Sequence, residues 1–368
     1  MNNLRSRILA LMLVVVAVVL AACGTPSKED VTKKLSGKWN DTKGYELQAT
    51  MEIKTGAEPR VYDVEVWHTK PDFYRVNVTQ DGSGDSQMIV RNEDGVFVVA
   101  PSLGKTYKFQ SDWPEQNSQA YLIGSLSEDI IADANATMTE EDKTYIFETV
   151  TRNNHKKVLP TQEIHIDKKT LLPKHVSILD ENKEEQIKIT FKKITLGTDR
   201  QTEDYAVEQS ADEEKPQKDP KADAEAEGAE AEGVESEDEE ANTEDEGTEA
   251  DSSDEQTSFN TYYPTVEWEG VTLIDEEAVK TESGTRIFMT FGDAKKYTIV
   301  QERAMPSDNS LPVSMDGDPV DLGFTVAAIT DKSIRWESDG ISFFIASDML
   351  TRDEMIEVAL SMSAGEMK

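Results

Sequence analysis

Cys23 is the one cysteine in the 368-residue chain, and the residues before it define what its sulfur can do. Arg5 and Arg7 precede an unbroken apolar run from Ile8 to Leu20, which closes in Leu20-Ala21-Ala22-Cys23. A basic start stays on the cytoplasmic side, an apolar stretch enters the translocon, and small residues ahead of a cysteine fit a signal-peptidase cleft. The sulfur then takes a diacylglyceryl group as a thioether, with palmitate-type chains. The run is shorter than the roughly 20 apolar residues of a membrane-spanning helix. This spacing predicts a signal peptide over 1–22 and a mature chain that begins at Cys23. That chain is expected at the cell membrane, lipid-anchored on the extracytoplasmic face. Each acyl methylene buried there contributes about 0.8 kcal/mol. With its sulfur acylated, the chain keeps no thiol for a disulfide, a zinc site or a nucleophile.

Other reactive residue types lack the spacing that chemistry needs. His68, His155, His165 and His175 fall on strands or turns, without the His-x-x-x-His or His-Glu-x-x-His pattern of zinc sites. Strand parity turns His165 and His175 outward. No nucleophile elbow, phosphate-cradling glycine loop or dinucleotide fingerprint occurs. Asp316-Gly317-Asp318-Pro319 lacks the remaining positions of a calcium loop and reads as a turn. Asp112-Trp113-Pro114-Glu115 sets acids beside an aromatic ring, as a glycosidase does, but a loop capping an apolar helix needs the same residues. The expectation is a protein that is not an enzyme, with no metal and no cofactor.

Charge divides the chain. The net charge is −35, and between Glu203 and Thr257 alone 24 acids stand against 3 lysines. That block has almost no aliphatic or aromatic side chain, so it cannot offset the entropy of ordering and reads as an extended spacer. Its field repels nucleic acid and anionic headgroups. The organisation predicted is a lipidated tether at 23–26, a folded domain at 27–200, an acidic disordered linker at 201–257 and a second domain at 258–368.

In the first domain, Ser27 and Asp30 open a short amphipathic helix carrying Val31 and Leu35. The period then changes from helical to two, as in half-buried antiparallel strands, with turns at Thr55-Gly56, Lys70-Pro71-Asp72, Asp81 to Gly84 and Asp94-Gly95. A second helix over 118–132 presents Leu122, Ile123, Leu126 and Ile130 on one face. About ten strands result, too many to stay flat. Parity gathers Leu47, Met51, Tyr62, Val64, Val66, Tyr74, Val76, Ile164, Ile166, Ile187, Ile189 and Phe191 on one side of the sheet. Two readings stand: a core packed under the helices, or a hollow that two short helices leave open. The second domain reads as six short strands, at 266–273, 286–291, 297–303, 324–329, 333–337 and 341–346. A capping box at Thr351-Arg352-Asp353-Glu354 then starts a terminal helix.

Several stretches of the first domain carry a family resemblance. They are Tyr62-Asp63-Val64-Glu65-Val66-Trp67-His68, Phe73 to Asn77, Arg91 to Val98, Phe109 to Pro114 and Asn117 to Leu122. They resemble the LolA-like sporulation lipoproteins of Bacillus, the YdcC group, within the LolA/LolB lipoprotein-carrier superfamily. The resemblance implies an α+β, mainly β fold: an incomplete antiparallel β-barrel covered by helices, here followed by a small C-terminal α+β domain. It implies an apolar cavity able to take lipid or lipoprotein acyl chains, a role in sporulation or germination at the envelope, and no established catalysis. The competing expectation is a non-catalytic scaffold that recruits a spore-envelope protein.

Overall fold

The computed structural model describes residues 26–54, 59–109, 119–152, 156–207, 259–281, 284–307 and 311–364. Cys23, Asp112, Glu115, His155 and the acidic stretch from 208 to 257 lie outside them.

Helix α1 (Lys28–Asn40) starts where the sequence predicts: the Ser27 side chain accepts a hydrogen bond from the Asp30 amide at 3.1 Å. Acids in its first turn favour the positive end of the helix dipole. It buries Val31, Leu35 and Trp39, a four-residue spacing that keeps one face inward. Six strands follow: β1 (Gly44–Lys54), β2 (Pro59–Thr69), β3 (Phe73–Gln80), β4 (Ser86–Asn92), β5 (Gly95–Ala100) and β6 (Lys105–Phe109). Helix α2 (Ile123–Ala132) comes next, burying Ile123, Leu126 and Ile130. Then come β7 (Thr137–Glu141), β8 (Thr144–Val150), β9 (Thr161–Asp167), β10 (Pro173–Leu179) and β11 (Glu185–Leu196). β7 escaped the sequence reading because its residues, Thr-Met-Thr-Glu-Glu, show no apolar alternation.

These strands form one sheet in the order β6-β5-β4-β3-β2-β1-β11-β10-β9-β8-β7, so the first and last halves of the domain meet at β1 and β11. A bulge interrupts that seam: Gln48 faces Lys193 while Ala49 faces Phe191. The extra residue, Lys192, lets Phe191 and Ile194 both turn toward the core. The sheet is open, and α1 and α2 lie in its curve. The Asp129 carboxylate, 1 % exposed, pins α2 to the sheet by accepting from Gln162 Nε2 at 2.6 Å and Arg152 Nε at 2.6 Å.

The folded body runs past the expected boundary at Arg200. Thr202–Tyr205 makes a 3₁₀ turn, and Tyr205 is fully buried on the outer face of the sheet with Phe73, Val90 and Phe97. Its hydroxyl meets Thr69 Oγ1 at 2.8 Å.

The C-terminal unit contains β12 (Tyr262–Pro264), β13 (Val271–Thr281), β14 (Gly284–Asp293), β15 (Tyr297–Arg303), β16 (Val313–Ser314), β17 (Asp318–Asp321), β18 (Val326–Ile329), β19 (Ser333–Ser338) and β20 (Ile341–Ala346). Helix α3 (Arg352–Ser361) and β21 (Met362–Ala364) end it. Seven strands pair as β13-β14-β15-β20-β19-β18-β17, and α3 covers one face with Met355, Ile356, Val358 and Ala359. The capping box between Thr351 and Glu354 is formed. β13 starts five residues and ends eight residues later than the sequence suggests, because Asp275, Glu276 and Glu277 mask a mostly exposed edge strand. The Asp316–Pro319 stretch is a bend at Gly317 (φ 110°) leading into β17. A Cβ at Gly317 would stand 2.6 Å from the Ile329 carbonyl oxygen. Asp318 pairs with Arg352 at 2.6 Å.

On the outer face of β9 and β10, His165 and His175 stack at 3.8 Å. Burial, then His165 and Lys188, with Lys174 behind them, hold the His175 imidazole down at about 4, while Glu185 pulls the other way. An unfolded histidine titrates at about 6.5. Between those values the unfolded chain binds more protons, so this contribution is complete above about pH 6.5 and is lost as pH falls toward 4. Solvent screening at this half-buried pair leaves a loss of about 1–2 kcal/mol. Urea unfolding at pH 7 and pH 4.5 should therefore show a shallower fall for His175→Gln than for the unaltered chain. Equal falls would remove His175 as the source.

Candidate functional site

The concave face collects the twelve candidates. Leu47, Met51, Tyr62, Val64, Val66, Val76, Ile164, Ile166, Ile187 and Ile189 are all buried in one apolar cluster, and Tyr74 and Phe191 pack against it half-buried. Within that cluster Tyr74 stacks on His68 at 4.2 Å, and Tyr45 approaches the same imidazole at 5.0 Å. His68 is 8 % exposed, Phe73 O lies 3.0 Å from its Nδ1, and burial lowers its pKa.

Two helices supply only part of the cover. The rest comes from the C-terminal unit, whose Val326 and Ala328 belong to the same cluster, with Met315 and Phe324 packed on it. Gly323 sits at the mouth: a Cβ there would lie 3.5 Å from Ile53 Cδ1 and 3.6 Å from Ile187 Cδ1. Its φ of 84° suits a residue without a side chain. β18 is buried on both faces. Val326 and Ala328 point into the first core, while Ala327 and Ile329 point into the core of their own unit.

Polar contacts frame this contact. Gln87 donates through Nε2 to Thr325 Oγ1 at 2.9 Å and accepts from the Val326 amide at 3.0 Å. Lys105 Nζ meets Glu337 at 2.6 Å, and Arg60 meets Asp339 at 3.1 Å. All four of these charged side chains are 20 % exposed or less. Asp321 takes the Gly323 amide at 2.7 Å and bonds the Gln119 side chain. Burial nevertheless pushes its carboxyl up to about 6. β16 also crosses over, pairing in parallel with β6 through Val313–Tyr107 and Ser314–Lys108, so the large sheet has twelve strands.

Below this contact a cleft of about 620 Å³ opens between the two units. Tyr107 and Lys105 stand on one wall, Arg286, Arg335, Glu337 and Phe344 on the other. Burial, then Glu337, raises the Tyr107 pKa. The sequence reading missed the cleft, although one signal pointed to it. Phe343 and Phe344 are adjacent on a strand, so one aromatic ring must face away from the α3 core. Among the described residues, no group of three or more His, Cys, Asp and Glu could hold a metal ion. Nor is any helix there long and apolar enough to cross a membrane.

An open antiparallel sheet curled around two helices, with its apolar side inward, is the arrangement that the sequence resemblance implies. The family model for sporulation protein YdcC-like sequences matches residues 4–205. The chain is 36 % identical over 364 residues to sporulation protein YdcC of Bacillus subtilis (strain 168), covering 99 % of this chain and 98 % of that protein. The chain belongs to the YdcC-like sporulation family. Among solved structures, a Pseudomonas aeruginosa MucA/MucB complex gives a chain 14 % identical, with a TM-score of 0.33, covering 92 % of this chain and all of that one. A LolA superfamily protein from Nitrosomonas europaea is 9 % identical at a TM-score of 0.29, covering 50 % of this chain and 99 % of that one.

Proposed function

We propose that this chain is a non-catalytic binding protein of the sporulating cell envelope, tethered through acylated Cys23 to the outer face of a membrane, and that it acts by docking a partner protein. The observation that carries this reading is the state of the concave face. Its apolar side chains are covered by α1, α2 and the segment from Met315 to Ala328, so the surface that a carried acyl chain would use is engaged within the protein. What remains for recognition is the outer surface and the cleft between the units. The tether keeps the docked partner close to the bilayer.

One observation favours a second reading, in which the half-barrel takes a lipid or lipoprotein acyl chain. The cover over its mouth comes from the other unit and is framed by polar contacts such as Gln87–Thr325 and Gln119–Asp321, so withdrawal of that unit would expose the apolar face. A titration separates the two. Full-length delipidated protein is mixed with a fluorescent fatty acid and its emission followed. The docking reading expects no saturable shift. Displacement of a bound probe by unlabelled fatty acid at equimolar protein would replace it with the acyl-chain reading.

A further inference from the structure

We propose that the cleft between the two units is a peptide-docking site, taking an extended segment of a partner protein in which acidic side chains stand beside apolar ones. This rests on the docking reading above and gives that reading a site and a ligand chemistry.

The Arg335 guanidinium lies on the cleft wall, exposed, 6.0 Å from the centre of the Phe344 ring. Among the described residues no carboxylate stands within ion-pair reach of it, although the whole chain carries a net charge of −35. The neighbouring cations are already engaged: Lys105 with Glu337 at 2.6 Å and Arg286 with Glu302 at 2.6 Å. An unpaired guanidinium over an aromatic ring is a receptor for a carboxylate, holding it by charge-assisted hydrogen bonds while the ring takes an adjacent apolar group.

The rim of the cleft extends that apolar contact. Met305 is 49 % and Val313 51 % exposed, and both line the opening. Cross-strand neighbours carry the apolar row on from Phe344. Arg335 pairs with Phe344 across β19 and β20, Phe344 with Val300 across β20 and β15, and Val300 with Phe288 across β15 and β14. Strands lie about 4.8 Å apart, so the row from Arg335 to Phe288 spans about 14 Å, the length of roughly four residues of extended chain.

The cleft's own polarity selects a peptide over an acyl chain. Gln87, Ser333, Ser342, Thr330 and two ion pairs share the lining with the aromatic residues. An acyl chain lying there would desolvate those groups and return no hydrogen bond. A peptide backbone brings one donor and one acceptor at nearly every residue. The volume, about 620 Å³, falls within the range of ligand sites, roughly 300–1,000 Å³.

The probe is an array of eight-residue fluorescein-labelled peptides in which Glu and Leu are exchanged position by position for Lys and Ser, read by anisotropy against the full-length protein. Peptides with Glu beside Leu should bind saturably, with Lys-for-Glu versions at least about tenfold weaker, one ion pair's worth of discrimination. Arg335→Glu should weaken the acidic peptides by at least about tenfold and strengthen the Lys versions. Because Arg335 is exposed, that variant should melt as the parent does. Phe344→Ala should weaken acidic and basic peptides alike. Binding without charge selectivity, or unchanged by Arg335→Glu, overturns the proposal. So does Arg335-dependent binding of phosphatidylglycerol vesicles with the peptides inert, which would make the cleft a lipid-headgroup site. A photo-crosslinking side chain at 344 or, on the outer face of the large sheet, at 192, in sporulating cells, separates the levels. A discrete protein adduct from 192 alone overturns the cleft and leaves the docking function standing. Adducts from neither position count against both.

Discussion

Truncating Phe343 to alanine is expected to destabilise the C-terminal unit by about 3–5 kcal/mol, the usual cost of removing a fully enclosed aromatic ring. The ring is 2 % exposed, lies flat on Trp336 at 4.9 Å, and meets Tyr262 edge-on at 5.3 Å. Paired strands hold it on one side and α3 on the other, so the space it leaves cannot collapse and its neighbours lose their contacts. Phe344 makes the comparison. It is the next residue on the same strand but faces the cleft half-buried, and its truncation should cost about 1 kcal/mol or less. Chemical unfolding of the two variants side by side measures the difference. Equal losses would contradict the placement of one ring inside the core and one outside it.

The second large effect concerns the proposed tether. In sporulating cells, Cys23→Ser should move the protein almost entirely from the membrane pellet to the released fraction, or leave it as an uncleaved precursor. A hydroxyl cannot form the thioether that lipidation and cleavage require. Acyl chains give about 0.8 kcal/mol per buried methylene, and one chain alone binds only marginally, so partial acylation should give partial release. Mass spectrometry of the N-terminus, with membrane fractionation, reads both results. A fully cleaved serine variant that still sediments with membranes would remove the lipid anchor from the account.

How much of this was legible in the sequence depended on how each element is solvated. Strands with one face in water alternate cleanly, as in Tyr62-Asp63-Val64-Glu65-Val66, and β2 lies where that pattern put it. α1 and α3 carry their own start signals in Ser27 and in the Thr351–Glu354 box. Strands at sheet edges lack the alternation: β7 has a single apolar residue, Met138, and β13 carries three consecutive acids. The arrangement between the units was hidden for a different reason. Gln87, Lys105, Glu337 and Asp339 look like ordinary surface residues until a partner 230 or more positions away pairs with them, and no local pattern encodes such a contact. The run Val326-Ala327-Ala328-Ile329 did hold a clue, since four apolar residues in succession suit a strand buried on both sides. The twelve concave-face residues lie in or against one apolar cluster, and what fills the space in front of them comes from a unit more than 100 positions further along the chain.

That doubly buried strand bears on how relatives can be recombined. Because alternate residues of β18 serve different cores, the halves of this molecule are not interchangeable parts. A chimera joining the first 205 residues of this chain to the C-terminal half of a distant homologue inherits foreign residues at 326 and 328 against the native apolar cluster of the concave face. Such hybrids should be rescued by transplanting those two side chains back, and not by matching the intervening acidic stretch.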